Sequence, residues 1–151
     1  VTGVQTCALP ISQASGGSST AMGIDTKATG EASTAMGHST KANGIMSTAM
    51  GYKTKAKGNV STAMGWETDA SGNYSTAMGY KTHAIGNHST AMGKYNTINA
   101  NNIFSVGVGS SESDRKDALS IDLSGNLTIG SGTSQLVLTK EKLEKLKNLL
   151  N

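Results

Sequence analysis

The chain has 151 residues, 19 of them glycine, with only 4% aromatic and 15% charged residues, a composition that fits an extended surface fibre. No apolar run is long enough to span a membrane, which argues against membrane insertion of this chain. The formal net charge of +3 arises between positions 13 and 102, but the lysines are too dispersed for the dense basic stripe of a nucleic-acid-binding protein.

Residues 1–12 are predicted to be foreign to the fold. The segment VTGVQTCALPI resembles the translation of a sequencing-library adapter, and such segments are set aside before a fold is inferred. It contains the only cysteine, Cys7, and the only proline, Pro10, so cysteine usage indicates nothing about the redox compartment. The native N-terminus is therefore expected to be missing, and this end gives no information on secretion.

A strict repeat follows this segment. The motif Ser-Thr-Ala-Met-Gly begins at Ser19, Ser33, Ser47, Ser61, Ser75 and Ser89, always 14 residues apart. A fixed period without insertions is typical of stacked repeat architectures. Fourteen residues are too few for a helix pair or a propeller blade, but they suffice for one coil of a β-solenoid with two short strands and two bends. Glycine is expected at the bends because it reaches backbone conformations that other residues avoid.

Side-chain alternation predicts which face of each strand points inward. In the second strand of a coil, Thr26, Ala28 and their repeats are small and fixed, whereas the column of Lys27 varies, so the small face is predicted to line the interior. In the first strand both faces are fixed, which predicts that the outward methionines form an apolar interface. These methionines are Met22, Met36, Met50, Met64, Met78 and Met92. The opposite orientation, with methionine inside and alanine outside, is the alternative.

The unit S-T-A-M-G-x-x-T-x-A-x-G resembles the repeat S-V-A-I-G-x-x-S-x-A-x-G of YadA-like heads in trimeric autotransporter adhesins. The resemblance covers about Ala14 to Gly107 and departs at Thr for Val and Met for Ile. It implies an all-β fold, a left-handed parallel β-roll (β-solenoid) of about seven coils over residues 13–109. It also implies a homotrimer, in which the methionine columns of three chains face a common axis.

The repeat fades after Gly93. Lys94 to Phe104 is rich in asparagine and is predicted to be a degenerate last coil that caps the open strand edges of the roll. Residues 110–138 are predicted to be a small β connector. Within it, 110–116 is a polar loop, the alternation over Ala118–Gly130 predicts a hairpin around Ser124-Gly125-Asn126, and Gln135–Leu138 is a short strand.

Residues 139–151 are predicted to be a helix. Thr139 is the expected N-cap, and Glu141 and Lys145 are spaced to pair along the helix. Leu143, Leu146 and Leu150 follow the 3–4 spacing of a coiled-coil seam, which predicts the start of a trimeric bundle. The alternative is an amphipathic helix docked on its own chain.

The sequence predicts no enzyme, cofactor or metal site. His38, His83 and His88 occupy three different columns, and the acidic residues are too scattered for acid–base catalysis. One column is suggestive, because Tyr52, Trp66 and Tyr80 follow successive motif glycines with Lys53 and Lys81 beside them. These aromatic residues are a candidate ligand-contact stripe for a sugar or a protein. A purely structural ladder is the favoured alternative.

The function that this reasoning favours is an adhesive, trimeric surface fibre. The resemblance implies an outer-membrane-anchored extracellular head that attaches to a host-surface or matrix protein or glycan. The alternative is a phage or viral tail fibre on a virion surface, because Phe104–Ile129 resembles tail-fibre segments and the chain ends at Asn151, just after a helix. An ice-binding solenoid based on the threonine columns and a pure spacer are minor alternatives.

Overall fold

The computed structural model describes residues 4–5 and 11–150, and its main body is a parallel β-solenoid. Each coil contributes one five-residue strand and one two-residue strand. In chain order the strands of the repeats are β1 (Val4–Gln5), β2 (Gln13–Ala14), β3 (Thr20–Ile24), β4 (Lys27–Ala28), β5 (Thr34–His38), β6 (Lys41–Ala42), β7 (Thr48–Tyr52), β8 (Lys55–Ala56), β9 (Thr62–Trp66), β10 (Asp69–Ala70), β11 (Thr76–Tyr80), β12 (His83–Ala84) and β13 (Thr90–Lys94).

The coils stack so that each residue pairs with its equivalent 14 positions later. Ala35 lies opposite Ala49, and Met50 lies opposite Met64, in parallel register. The short strands form a separate parallel sheet of six, β12-β10-β8-β6-β4-β2. This arrangement confirms the predicted solenoid of about seven 14-residue coils.

Small residues fill the thin space between the two sheets. The alanines of both strands are buried in every coil, from Ala21 to Ala91. The columns of Ser19 and Thr26 are buried with them, so the interior carries hydroxyl groups as well as methyl groups. The predicted orientation is therefore confirmed, with alanine inside and methionine on the outer surface.

The bends agree in part with the prediction that glycine would form them. Gly58 lies in one bend, and the motif glycine Gly51 has a φ of 116° just before the other. Each coil also has two non-glycine residues in the left-handed conformation, such as Lys53 (φ 53°) and Val60 (φ 55°). Their N–H groups bond to the previous coil, that of Val60 to the carbonyl of Ile45 at 2.7 Å, so the stack holds them there. Gly58 is needed for a different reason, since a Cβ there would meet the backbone carbonyl of Gly72.

The end of the short-strand sheet is closed by a side chain. Asn96 is buried, and its Oδ1 accepts a hydrogen bond from the N–H of His83 at 2.7 Å. Its Nδ2 donates to the carbonyl of His83 at 2.9 Å, and also to Ser105 Oγ at 3.2 Å. One amide side chain thus satisfies the backbone edge of β12, which the next coil would otherwise pair.

The long-strand sheet continues beyond the repeats. Strand β14 (Asn102–Val108) pairs parallel with β13 and places Ser105, Val106 and Gly107 at the Ala, Met and Gly positions, as the register predicted. The sheet then turns antiparallel through β15 (Asp117–Asp122), β16 (Leu127–Ile129) and β17 (Leu136–Leu138). A short 3-10 helix spans Gly132–Ser134 before β17.

Helix α1 (Lys140–Leu150) ends the described chain. Thr139 caps it, with Oγ1 accepting from the N–H of Lys142 at 3.3 Å, and Lys145 pairs with Glu141 at 2.7 Å. No helix residue is buried, so the helix does not dock on its own chain. Within the described residues, no helix combines the length and the apolarity that crossing a membrane requires.

The adapter hypothesis falls mostly on residues 1–3 and 6–10, which lie outside the described part of the chain. Of the remaining residues, Val4 and Gln5 pair in parallel with Thr20 and Ala21. Ser12 is buried one coil before Thr26, and its Oγ donates to the carbonyl of Gly23 at 2.7 Å. The column that includes Thr26 therefore begins at Ser12, while the origin of the segment stays a prediction.

Candidate interaction surfaces

The outer face of the long strands carries a continuous row of methionines. Strand pairing places Met22, Met36 and Met50 directly opposite one another, and Met64 opposite Met78. At the N-terminal end of the row Met22 is 45% exposed, and the later methionines are half-buried within one chain. We call this row, with its continuation below, the apolar face.

The antiparallel strands extend the apolar face, which the sequence did not reveal. Val106 lies opposite both Met92 and Leu119, and the row continues through Ile129 to Leu136. A second row runs beside it, in which the repeat threonines lead into larger side chains. These are Phe104, Ile121, Leu127 and Leu138. The face therefore becomes more apolar toward the C-terminal end, although Ile129 and Leu136 remain 43% and 53% exposed.

Helix α1 presents the predicted leucines to solvent. Leu143, Leu146 and Leu150 are 47%, 52% and 79% exposed. Leu149 lies off their seam and is 82% exposed. An 11-residue helix with exposed leucines gains little stability from its own chain, because short helices are marginal without packing.

The candidate ligand-contact stripe forms a ladder at one bend. The rings of Tyr52 and Trp66 stack with centroids 4.0 Å apart, and Trp66 and Tyr80 follow at 6.4 Å. His38 meets Tyr52 edge-on at 5.2 Å. Since the ring faces are turned toward each other, mainly ring edges are offered to solvent. This geometry agrees with the favoured structural ladder; contact with a ligand stays a prediction.

A charge ladder runs along the same bend. Glu67 lies between two lysines, 3.1 Å from Lys81 Nζ and 3.8 Å from Lys53 Nζ. The hydrogen bond to Glu67 raises the pKa of Lys81 above its ordinary value. Opposite charges at equivalent positions of adjacent coils attract each other, so Glu67 offsets part of the positive charge of the two lysines.

The loop predicted at 110–116 is anchored on the roll. Arg115 donates from Nη1 to the carbonyls of Lys81 (2.9 Å) and Asn96 (3.2 Å), and its guanidinium lies 5.6 Å from the ring centroid of Tyr95. Its Nη2 also lies 2.6 Å from Glu112, and this hydrogen bond lowers the pKa of that carboxyl. The loop thereby covers the last bends of both ladders, which its polar sequence did not indicate.

The short-strand face points away from the apolar face and carries a column of lysines. Lys27 and Lys41 lie opposite each other, as do Lys41 and Lys55. The column then changes to Asp69, which is only 9% exposed because it is bonded to Lys57 Nζ and Ser71 Oγ, both at 2.5 Å. The prediction of a variable, charged outer face thus holds for the lysines, whereas Asp69 is buried among its partners.

The predicted histidines stay apart. His38 belongs to the aromatic ladder, His88 stacks on Tyr74 at 4.9 Å, and His83 lies on the short-strand face, where burial and then the nearby Arg115 lower its pKa. Among residues 11–150, no group of three or more histidine, cysteine or acidic side chains is placed to hold a metal ion.

The repeat geometry can be compared with known families. Residues 14–40, 42–68 and 70–96 match the family model described as "YadA head domain repeat (2 copies)", which covers more than half of the chain. A comparison with curated proteins finds none that matches. Head domains of this family are homotrimeric parts of trimeric autotransporter adhesins on the cell surface, and they are structural adhesin modules. The matched repeats and the observed solenoid show that this chain belongs to the YadA head domain repeat family.

Proposed function

We propose that the chain is a homotrimeric adhesin head that attaches a cell to a host-surface or matrix protein or glycan. The observation that carries this proposal is the apolar face, a row of ten outward side chains from Met22 to Leu136 that one chain leaves partly exposed. Soluble monomers rarely carry so long an apolar patch without a partner. Three copies that meet on this face would bury it.

The helix supports the same assembly. Leu143, Leu146 and Leu150 have no packing partner within the described chain, and a three-stranded bundle would give them one. The methionine row and the leucine seam are carried by successive parts of the chain. We therefore propose that both face the same three-fold axis.

The other functions stay predictions. The tail-fibre alternative depends on Phe104–Ile129, which lies beyond the matched residues. An ice-binding role would need two exposed threonine columns, but the column of Thr26 is buried inside the roll. A spacer without a ligand differs from an adhesin only in what the short-strand face and the bends contact.

The mass of the full chain in solution tests the assembly, and we expect light scattering to give three chains. Replacing Met50, Met64 and Met78 together by Asp places three carboxylates on the apolar face. We expect soluble monomer or misfolded protein, because charges cannot be buried unpaired. A trimer of unchanged mass would contradict the placement of this row at the axis.

A matched variant adds the same three carboxylates elsewhere. Thr29, Asn43 and Ile85 share one column that follows the short strands, on the side away from the apolar face. Their joint replacement by Asp is expected to leave the trimer mass unchanged. Adhesion itself is measured as attachment of the labelled trimer to cultured cells and to immobilised matrix.

A further inference from the structure

Lys27, Lys41 and Lys55 form a column of positive charge that takes no part in the proposed trimer interface. The three side chains project from β4, β6 and β8 on the face opposite the apolar face, and Lys41 and Lys55 are exposed. Adjacent strands lie roughly 4.8 Å apart, so the ammonium groups form a single file along the roll. Like charges directly opposite each other destabilise a sheet, so this column costs stability unless something neutralises it.

No carboxylate of the described chain forms an ion pair with these three lysines. The nearby acids are already engaged: Glu67 with Lys81 and Lys53, and Asp69 with Lys57. In the adjacent charge ladder lysine and glutamate alternate along the stack, whereas Lys27, Lys41 and Lys55 follow one another with the same sign.

A groove runs beside the column. Its volume is about 400 Å³, and Lys41, Lys53 and Lys55 form part of its wall. Glu112, at one end, is held by Arg115 at 2.6 Å. Asp25 also lines the groove, and it accepts a hydrogen bond from Ser39 Oγ at 3.2 Å. Glu67 and Asp69 line the groove as well, but each is paired with a lysine, so Asp25 is the carboxylate of this lining that has no ion pair within the described chain. Lys41 and Lys55 in the groove, with Lys27 next to them, therefore leave an excess of positive charge along the column.

We propose that this column and its groove bind a linear sulfated polysaccharide that lies along the axis of the roll. The proposal rests on the adhesive function proposed above and names its partner class. Sulfate groups closely spaced along one flexible chain supply the single file of negative charge that the column lacks. Three chains in the trimer would each present one such column, and multivalent contact would strengthen the attachment.

Two other polyanions fit the surface less well. An extended acidic peptide places same-face side chains roughly 6.7 Å apart, which does not match the coil spacing. Single-stranded nucleic acid needs open aromatic faces for its bases, but Tyr52 and Trp66 are stacked on each other at 4.0 Å. Duplex DNA needs a broader basic surface than one column.

Immobilised heparin is the probe that tests this inference with the intact chain. We expect the wild-type trimer to be retained and eluted by salt, and Lys41→Gln/Lys55→Gln to bind about tenfold more weakly with a shallower salt dependence. The control Lys140→Gln/Lys147→Gln removes the same charge from α1 and is expected to bind as the wild type does. Desulfated heparin, polyglutamate and DNA are tested as competitors and are expected to compete poorly.

The outcomes separate the two proposals. Equal heparin binding by the Lys41/Lys55 variant, or equal competition by desulfated heparin, polyglutamate or DNA, would overturn the sulfated-polysaccharide site. If the wild type attaches to cells equally well after their sulfated chains are digested, the proposed sulfated-polysaccharide site is wrong, whereas the proposed adhesive function is retained. Attachment to no cell or matrix, with lysine-dependent heparin binding intact, would instead refute the adhesive function.

Discussion

Single residues in this molecule are constrained by the coil above and the coil below. Gly58 must lack a side chain because the carbonyl of Gly72 lies where a Cβ would be. Val60, in the same bend, adopts a left-handed conformation that β-branched residues rarely tolerate. Its backbone hydrogen bond to Ile45 offsets part of that cost. Stacking at a 14-residue period thus excludes a side chain at Gly58 and holds a left-handed backbone at Val60.

Asp117 is a buried carboxyl group whose ionisation should affect stability. It is 5% exposed, its Oδ1 accepts from the N–H of Thr97 at 2.9 Å, and burial raises its pKa above the ordinary value near 3.9. The folded state then binds a proton more tightly than the unfolded state does. The contribution of Asp117 to the free energy of unfolding is therefore most favourable below the ordinary pKa, and it declines as pH rises through the raised pKa of the folded state.

We expect Asp117→Asn to be more stable than the wild type at neutral pH, because Asn can accept the same bond without a charge. The difference should shrink as pH falls through that window. Chemical denaturation at a series of pH values measures it, and Asp114→Asn is the control, since that exposed carboxyl has a lowered pKa and should show the opposite trend. A pH-independent difference for Asp117→Asn would show that the carboxyl does not titrate abnormally.

Elements in this fold are short strands that are stable only as a stack. A two-residue strand such as β6 has one bonded neighbour on each side, β4 and β8, and cannot form alone. The ends of the stack therefore need special devices. Asn96 supplies one, by pairing the backbone of β12 with a side chain. The extension through β14 supplies the other, because it continues the long-strand sheet past the last repeat.

The stacking contact itself can be tested with one methyl group. Gly58→Ala pushes a Cβ into the backbone of the next coil, and we expect a loss of at least about 3 kcal/mol in the free energy of unfolding, or failure to fold. Gly17→Ala is the matched control, since the nearest atom to its Cβ is a flexible Glu31 carbon at 3.9 Å. It should change stability by less than about 1 kcal/mol. Comparable losses in both variants, in urea titrations, would refute the contact argument.

The whole molecule has two faces with different chemistry. The apolar face runs from the first repeat to the base of α1, and the proposed axis lies along it. The short-strand face carries the lysine column and points the other way. A protein with this layout can assemble through one side and keep the other available to a partner, because the thin alanine interior separates the two sheets.

The leucine seam gives a prediction for the assembled molecule. We expect Leu146→Asp to destabilise the trimer by about 2 kcal/mol per chain, because Leu146 would be buried in the bundle. Leu149→Asp makes the same change off the seam and should have little effect. Thermal unfolding at fixed protein concentration distinguishes them. Similar effects of the two substitutions would argue that the helix stands free in solution.

The stacked parallel coils and the small, inward-facing columns could be predicted from the 14-residue period alone. This is possible because every coil is a copy, and because side chains alternate along a strand. Thus the buried Ala49, the outward Met50 and the stacked Tyr52 and Trp66 all follow from the repeat. The capped helix at Thr139 followed equally well, since its signals are local.

The contacts that the repeat does not encode form only in the folded chain. Arg115 reaches Lys81 across 34 residues, and Leu119 joins the methionine row through an antiparallel pairing with register shifts. Asp69 is covered by Lys57 on the outer face because their side chains meet only once the coils are stacked. Sequence periodicity fixes the position of a residue within its coil, but the partner of an irregular side chain depends on how distant segments fold back on the roll.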